Sequence, residues 1–114
     1  MPAAQAVDRV LNLETLSGNF TAEVSVVGQC AVVLLGAGSG ADGMSLGLGG
    51  EGSSLTPRSE AGSFADAVAG SLSAAFPSHQ ILLNLAGERV YSEDVIRDLT
   101  TALVAQLTPL LSTT

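Results

Sequence analysis

The sequence predicts an α+β domain: an antiparallel β-meander sheet with two helices packed on one face and the other face used for dimerisation. Three observations predict it. Cys30-Ala31-Val32-Val33-Leu34-Leu35 is an unbroken apolar run, rich in β-branched residues and closed by glycine. Phe20 to Val27 alternates apolar and polar residues as a half-buried strand does. Two later stretches carry apolar stripes at four-residue spacing, Phe64-Val68-Leu72-Phe76 and Val95-Leu99-Leu103-Leu107. A strand points alternate side chains to opposite faces, so Cys30, Val32 and Leu34 share one face and Ala31, Val33 and Leu35 the other. Both sets are apolar. One layer of helices covers only one of them, and the chain therefore reads as half of something larger.

Composition narrows the function. With 114 residues, 46% of them hydrophobic and 4% aromatic, the chain suits a single domain (1–114) with an aliphatic core of small volume. No lysine and four arginines stand against eleven acidic residues, a formal net charge of −7. Nucleic-acid binding needs cationic contacts to phosphate, and an anionic membrane is disfavoured for the same reason. The lone Cys30 lies inside the apolar run, where a buried thiol in a reducing compartment is the default. No apolar run approaches the roughly 20 residues that span a bilayer, and no signal segment is visible. A soluble cytoplasmic protein is expected, with the nucleus open as a second compartment.

In chain order, residues 1–7 read as a frayed start. Val10 to Leu16 has no clean period and suits a strand or a short helix. Gly28-Gln29 links the Phe20 strand to the Cys30 strand as a hairpin. Gly36 to Gly43 reads as a glycine-rich hairpin connection to Met44-Ser45-Leu46-Gly47-Leu48, with Met44, Leu46 and Leu48 facing inward. Residues 50–62 read as a flexible loop. Ser63 and Asp66 have capping-box spacing for the first helix, and Pro77 stops it. Ile81 to Leu85 is a mostly buried strand. Ser92 caps the second helix, Glu93 and Arg97 can pair along it, and Pro109 follows its end.

No constellation calls for chemistry, so the expectation is a chain without enzymatic activity, cofactor or metal. Gly36-Ala37-Gly38-Ser39-Gly40-Ala41 matches a dinucleotide fingerprint formally, but an alternating strand follows it where the mechanism needs a helix N-terminus. His79, the single histidine, sits in a turn and reads as solvated. One histidine and one buried cysteine make a poor metal site. Asp94 and Asp98 read as a solvated helix face, and Tyr91 beside Arg89 as a surface anchor.

The order of elements resembles the proteasome assembly chaperone 3/4 family. The resemblance runs from about residue 10 to 107. It is carried by the stretch from Gly18 through the Cys30 strand, the hairpin ending at Gly43 and the strand to Leu48. Phe64-Ala65 opening a helix, the Ile81-Leu82-Leu83 strand, Asn84 after it, and Ser92-Glu93 opening the last helix fall at near-matching spacing. The resemblance implies a non-enzymatic assembly chaperone. Members pair sheet to sheet as heterodimers of chaperones 3 and 4, with helices outside, and bind proteasome α-type subunits during α-ring formation. The expected partners are thus a chaperone 4-like subunit, or a second copy of the chain in isolation, and proteasome α-type subunits. The alternative is a small dimeric scaffold of roadblock or longin type for GTPase regulators; such domains usually open with a helix, so Val7 to Leu16 separates the two.

Spacing alone leaves open which face of the Cys30 strand meets the helices. The dimerisation face is assigned to Ala31, Val33, Leu35 and Leu82. Partner contact is assigned to the loop residues Ser53, Ser54, Leu55 and Arg58, because long polar loops on rigid domains often carry recognition.

Overall fold

The computed structural model describes residues 6–16, 18–35, 43–54, 60–85 and 92–111. The elements run β1 (Ala6–Thr15), β2 (Gly18–Val27), β3 (Cys30–Leu35), β4 (Gly43–Leu48), β5 (Glu51–Ser54), α1 (Glu60–Ala75), β6 (Gln80–Leu85) and α2 (Glu93–Leu111). They form one six-stranded sheet in the order β1-β2-β3-β6-β4-β5. Val10 to Thr15 is strand, not helix, with Leu16 in the turn that follows: β1 pairs with β2 without interruption from Ala6↔Val27 to Thr15↔Gly18, so Ala6 and Val7 belong to the strand and not to a frayed start.

The meander holds for β1, β2 and β3 and then breaks. β6 enters between β3 and β4, parallel to the first and antiparallel to the second. β3 and β4 are therefore not hairpin partners, contrary to the reading of Gly36 to Gly43; residues 36–42 themselves lie outside the described residues. The physical reason lies in β6, whose Ile81, Leu83 and Leu85 are buried and whose Leu82 is half-buried. The helix-facing side of β6 is wholly apolar, and Leu82 adds one apolar side chain to the other side, between Gln80 and Asn84. A strand so buried is most stable in the middle of a sheet, where neighbours on both edges shield it.

The helices divide one face between them. The stripe Leu99, Leu103, Leu107 and Leu111 of α2 is buried, and α2 packs on β1 and β2. Ala65, Val68, Ala69 and Leu72 of α1 are buried against β4, β5 and β6. Leu13, Phe20, Ala22, Val24, Val26, Ala31, Val33, Leu35, Ile81, Leu83 and Leu85 complete the core from the sheet side. Each fully buried Val or Leu contributes roughly 1.5–3 kcal/mol relative to exposure, so this one interface carries most of the stability.

β4 faces opposite to its expected direction. Gly43, Ser45 and Gly47 point at α1, while Met44, Leu46 and Leu48 point away. The reason is distance. A Cβ on Gly47 would lie 2.2 Å from the Ala69 carbonyl oxygen, and one on Gly52 would lie 2.2 Å from that of Asp66. The helix backbone rests directly on the strand backbone, and only glycine leaves room for it. Of the loop expected over 50–62, residues 51–54 form β5 and 60–62 open α1, while 55–59 lie outside the described residues. Gly49 and Gly50, with φ of 63° and 90°, make the tight turn into β5. Ser73 Oγ accepts from the Gly50 amide at 2.9 Å and donates to the Gly70 carbonyl at 2.9 Å, tying that turn to α1.

The helix ends differ in detail from their sequence signals. α1 begins at Glu60, three residues before Ser63. Ser92 does cap α2: its Oγ accepts from the Val95 amide at 3.3 Å, and its carbonyl accepts from Ile96. Arg97 pairs with Asp94 at 2.9 Å, not with Glu93. Pro109 lies inside α2, whose last turn continues because Leu111 still has core to bury. A proline so near the end removes only one ladder bond, and burial of Leu111 outweighs it.

The close approach of α1 makes a direct prediction. Gly47→Ala is expected to destabilise the protein by about 1–3 kcal/mol, because the helix must shift to admit a methyl group. Leu48→Ala, at an exposed site, is expected to stay within about 0.5 kcal/mol. Thermal or urea unfolding of the two variants measures both.

Candidate functional site

The face opposite the helices is the most distinctive surface of the molecule. Register defines its rows. Ser25, Val32, Leu82, Leu46 and Ser53 lie side by side across β2, β3, β6, β4 and β5. Next to them run Glu23, Leu34, Asn84 and Met44. The centre of this face is thus apolar but for Asn84, between Leu34 and Met44. Leu34 is 40% exposed and Leu48 56%, while Val32, Leu82, Met44 and Leu46 are half-buried against one another. Both helices lie on the other side, and no described residue covers this strip.

One border of the strip is polar and acidic. On β1 and β2 the same face presents Asp8, Asn12, Glu14, Thr21 and Glu23, with Val10 and Val27 among them, all exposed. Ser25 Oγ donates to Asp8 Oδ1 at 2.6 Å, which fixes the carboxylate against the sheet surface. The surface is therefore an apolar band flanked by negative charge. It can bind by shape and burial, and the charges set which partners approach. Contiguous apolar surface of this sort is a usual mark of an interaction site.

The residues assigned from sequence to dimerisation divide between the two faces. Ala31, Val33 and Leu35 have at most 1% exposure and point into the core beneath the helices. Leu82 alone of the four reaches the open face, where its register partner is Val32. Grouping Leu82 with Val33 therefore joins opposite sides of the sheet. The open-face set is Val32, Leu34, Met44, Leu46, Leu48 and Leu82. Its signal was present in the alternation of β3, but the choice between two equally apolar faces depends on where the helices fall. The β4 members could not be placed while Gly43, Ser45 and Gly47 were read as outward.

Of the partner-contact residues, Ser53 and Ser54 belong to β5, and Leu55 and Arg58 lie outside the described residues. Ser53 is exposed, and its carbonyl accepts from Ser45 Oγ at 3.1 Å across the β4–β5 pair. The two described members are thus ladder residues rather than loop.

His79 differs from expectation as well. It is 7% exposed, and its Nε2 is buried with no hydrogen-bond partner among the described residues. Parity explains this: His79 lies two residues before Ile81 and so continues the helix-facing side of β6. A buried imidazole with an unsatisfied nitrogen is a packing feature of the turn. Extending the strand alternation back by one step from Ile81 would have found it.

A second concavity lies between the solvent sides of α1 and α2, with a volume of about 700 Å³. Phe64, Ala67, Ile96 and Val104 give it apolar walls, and Arg97 stands at its rim, engaged by Asp94. Among the described residues, no three His, Cys, Asp or Glu side chains converge as metal ligands. The Gly36 to Ala41 motif, Arg89 and Tyr91 lie outside the described residues. No described helix is long and apolar enough to cross a membrane.

Comparison with family models and with curated proteins returns no match.

The two sides of β3 predict unlike mutants. Val33→Asp is expected to unfold the chain, since an unpaired charge enters a site with 0% exposure. Val32→Asp is expected to leave the fold intact by circular dichroism and to reduce binding of a hydrophobic dye to the open face. A Val33→Asp protein as stable as the parent would contradict the placement of the helices.

Proposed function

We propose that this chain is a non-enzymatic assembly chaperone that dimerises through its open sheet face and binds proteasome α-type subunits to promote α-ring formation. The observation that carries the reading is the apolar strip of Val32, Leu34, Met44, Leu46, Leu48 and Leu82, opposite a face fully occupied by helices. A sheet covered on one side only suits a partner that supplies a second sheet, so that helices end up outside and the two apolar faces inside. The resemblance of residues 10 to 107 to the chaperone 3/4 family names that partner as a chaperone 4-like subunit, or a second copy in isolation. The work is then done by complementary surfaces, without turnover or cofactor, in the cytoplasm.

The strand at Ala6–Thr15 supports this reading over a roadblock-type scaffold, for which a helix is expected at Val7 to Leu16. The acidic border suits α-type subunits or a dimer partner that bring basic residues to its rim.

Affinity purification of the tagged chain from its own cells, followed by mass spectrometry, tests the proposal. Proteasome α-subunits without β-subunits are expected among the recovered proteins, and Leu82→Asp is expected to reduce their yield at least tenfold. Recovery of GTPase regulators in place of α-subunits would move the assignment to the scaffold class.

A further inference from the structure

The geometry points to a second association surface, independent of the chaperone reading: the free edge of β1, which fits the β1 edge of another copy of this chain. The strand is 10 residues long, pairs only with β2, and does so in unbroken register from end to end. It contains no proline or bulge, and its charged residues, Asp8, Arg9 and Glu14, lie toward its two ends and leave Val10 to Leu13 uncharged. The opposite edge of the sheet, β5, has only 4 residues. Among the described residues nothing lies along the β1 edge.

Backbone direction shows which groups it offers. The Asp8 carbonyl accepts from the Arg9 guanidinium of its own chain at 3.2 Å, which marks it as pointing away from β2. Alternation along an antiparallel strand then turns the amides and carbonyls of Val10, Asn12 and Glu14 outward too. Val10, at the middle of the strand, has a side chain 64% exposed. From Val10 to Glu14 the edge therefore combines outward donors and acceptors with an exposed β-branched residue, while the Asp8 carbonyl is held by Arg9 and must exchange it for a partner.

Charge selects the register. Two copies related by a two-fold axis normal to the sheet pair antiparallel, with like faces on the same side. Two registers use all but one residue of the strand. One sets Asp8 directly opposite the partner's Glu14, a like-charge contact that disfavours it. The other centres on Val10 against the partner's Val10, with Asp8 opposite the partner's Asn12 and Ala6 opposite the partner's Glu14. In that register the outward residues of both strands exchange hydrogen bonds, and no carboxylate directly opposes another. The product is one continuous sheet across two copies. Its open face still presents both apolar strips, so edge pairing and face pairing are compatible.

Light scattering on the full chain tests this, with Val10→Pro and Val10→Lys compared with the parent. The Val10 amide points outward, so proline there removes no bond to β2. Lysine sets two cations face to face across the axis. Both variants are expected to keep the parent's circular dichroism and to show half its mass; if proline disturbs folding, lysine carries the comparison. In a Cys30→Ser background, Val10→Cys is expected to form a disulfide-linked dimer on oxidation. Hydrogen-bonded pairs place Cα atoms about 5.5 Å apart, within disulfide range. Gln106→Cys, exposed on α2 away from both sheet surfaces, is expected to form none. A monomeric parent, variants of unchanged mass, or equal cross-linking at both positions would overturn the proposal. A mass halved by Leu82→Asp but not by the Val10 variants would also overturn it, leaving face pairing alone.

Discussion

At the middle of the sheet β3 is apolar on both sides, β6 beside it adds Leu82 to the open one, and the described helices cover only the other. β3 and β6 lie side by side in parallel register, Val33 beside Leu83 on one face and Val32 beside Leu82 on the other. The first pair is fully buried; the second is only half covered by its neighbours. Burying one Val or Leu is worth roughly 1.5–3 kcal/mol, so the helices account for one side and leave a comparable gain unrealised on the other. That imbalance organises the molecule. It puts β6 in the centre, places polar β1 and β2 side chains at one border, and leaves a band that another surface can complete.

The helices reach their face by two different solutions. Over β1 and β2, α2 sets leucines against Leu13, Phe20, Ala22 and Val24, a packing of bulky side chains at ordinary distance. Over β4 and β5, α1 has alanines and Gly70 against Gly47 and Gly52, and backbone approaches backbone. The buried Ser45 and Ser73 fit there because each finds a hydrogen-bond partner on a neighbouring segment. Close approach turns β4 over, and its large residues then extend the apolar band of the open face. The fold device that secures α1 thus enlarges the candidate interface by Met44, Leu46 and Leu48.

Much of this was legible before any coordinates. Phe20 to Val27, Cys30 to Leu35 and Ile81 to Leu85 announce themselves by pattern; of the helical stripes Val68, Leu72, Leu99, Leu103 and Leu107 are buried, while Phe64, Phe76 and Val95 are half-buried. The two-faced character of β3 is legible too, and with it the inference that something must cover each side. Met44 to Leu48 was misread because alternation identifies two faces without saying which is inside. Size normally decides that, and here the smaller residues face the core. His79 was misread because a turn position suggests solvent, whereas the turn enters the central strand.

The sequence by itself determined the class of the molecule: strands, two amphipathic helices, an aliphatic core and an acidic surface. These follow from local periodicity and composition, which act over a few residues. Only the tertiary structure decided the strand order, the parallel β3–β6 pair, and the outward direction of Val32, Leu82 and Leu46. Those depend on contacts between segments tens of residues apart, such as Ala69 against Gly47 or Leu83 against Val33. A strand whose two faces are equally apolar carries no mark of which is inside; the helices decide it when they land.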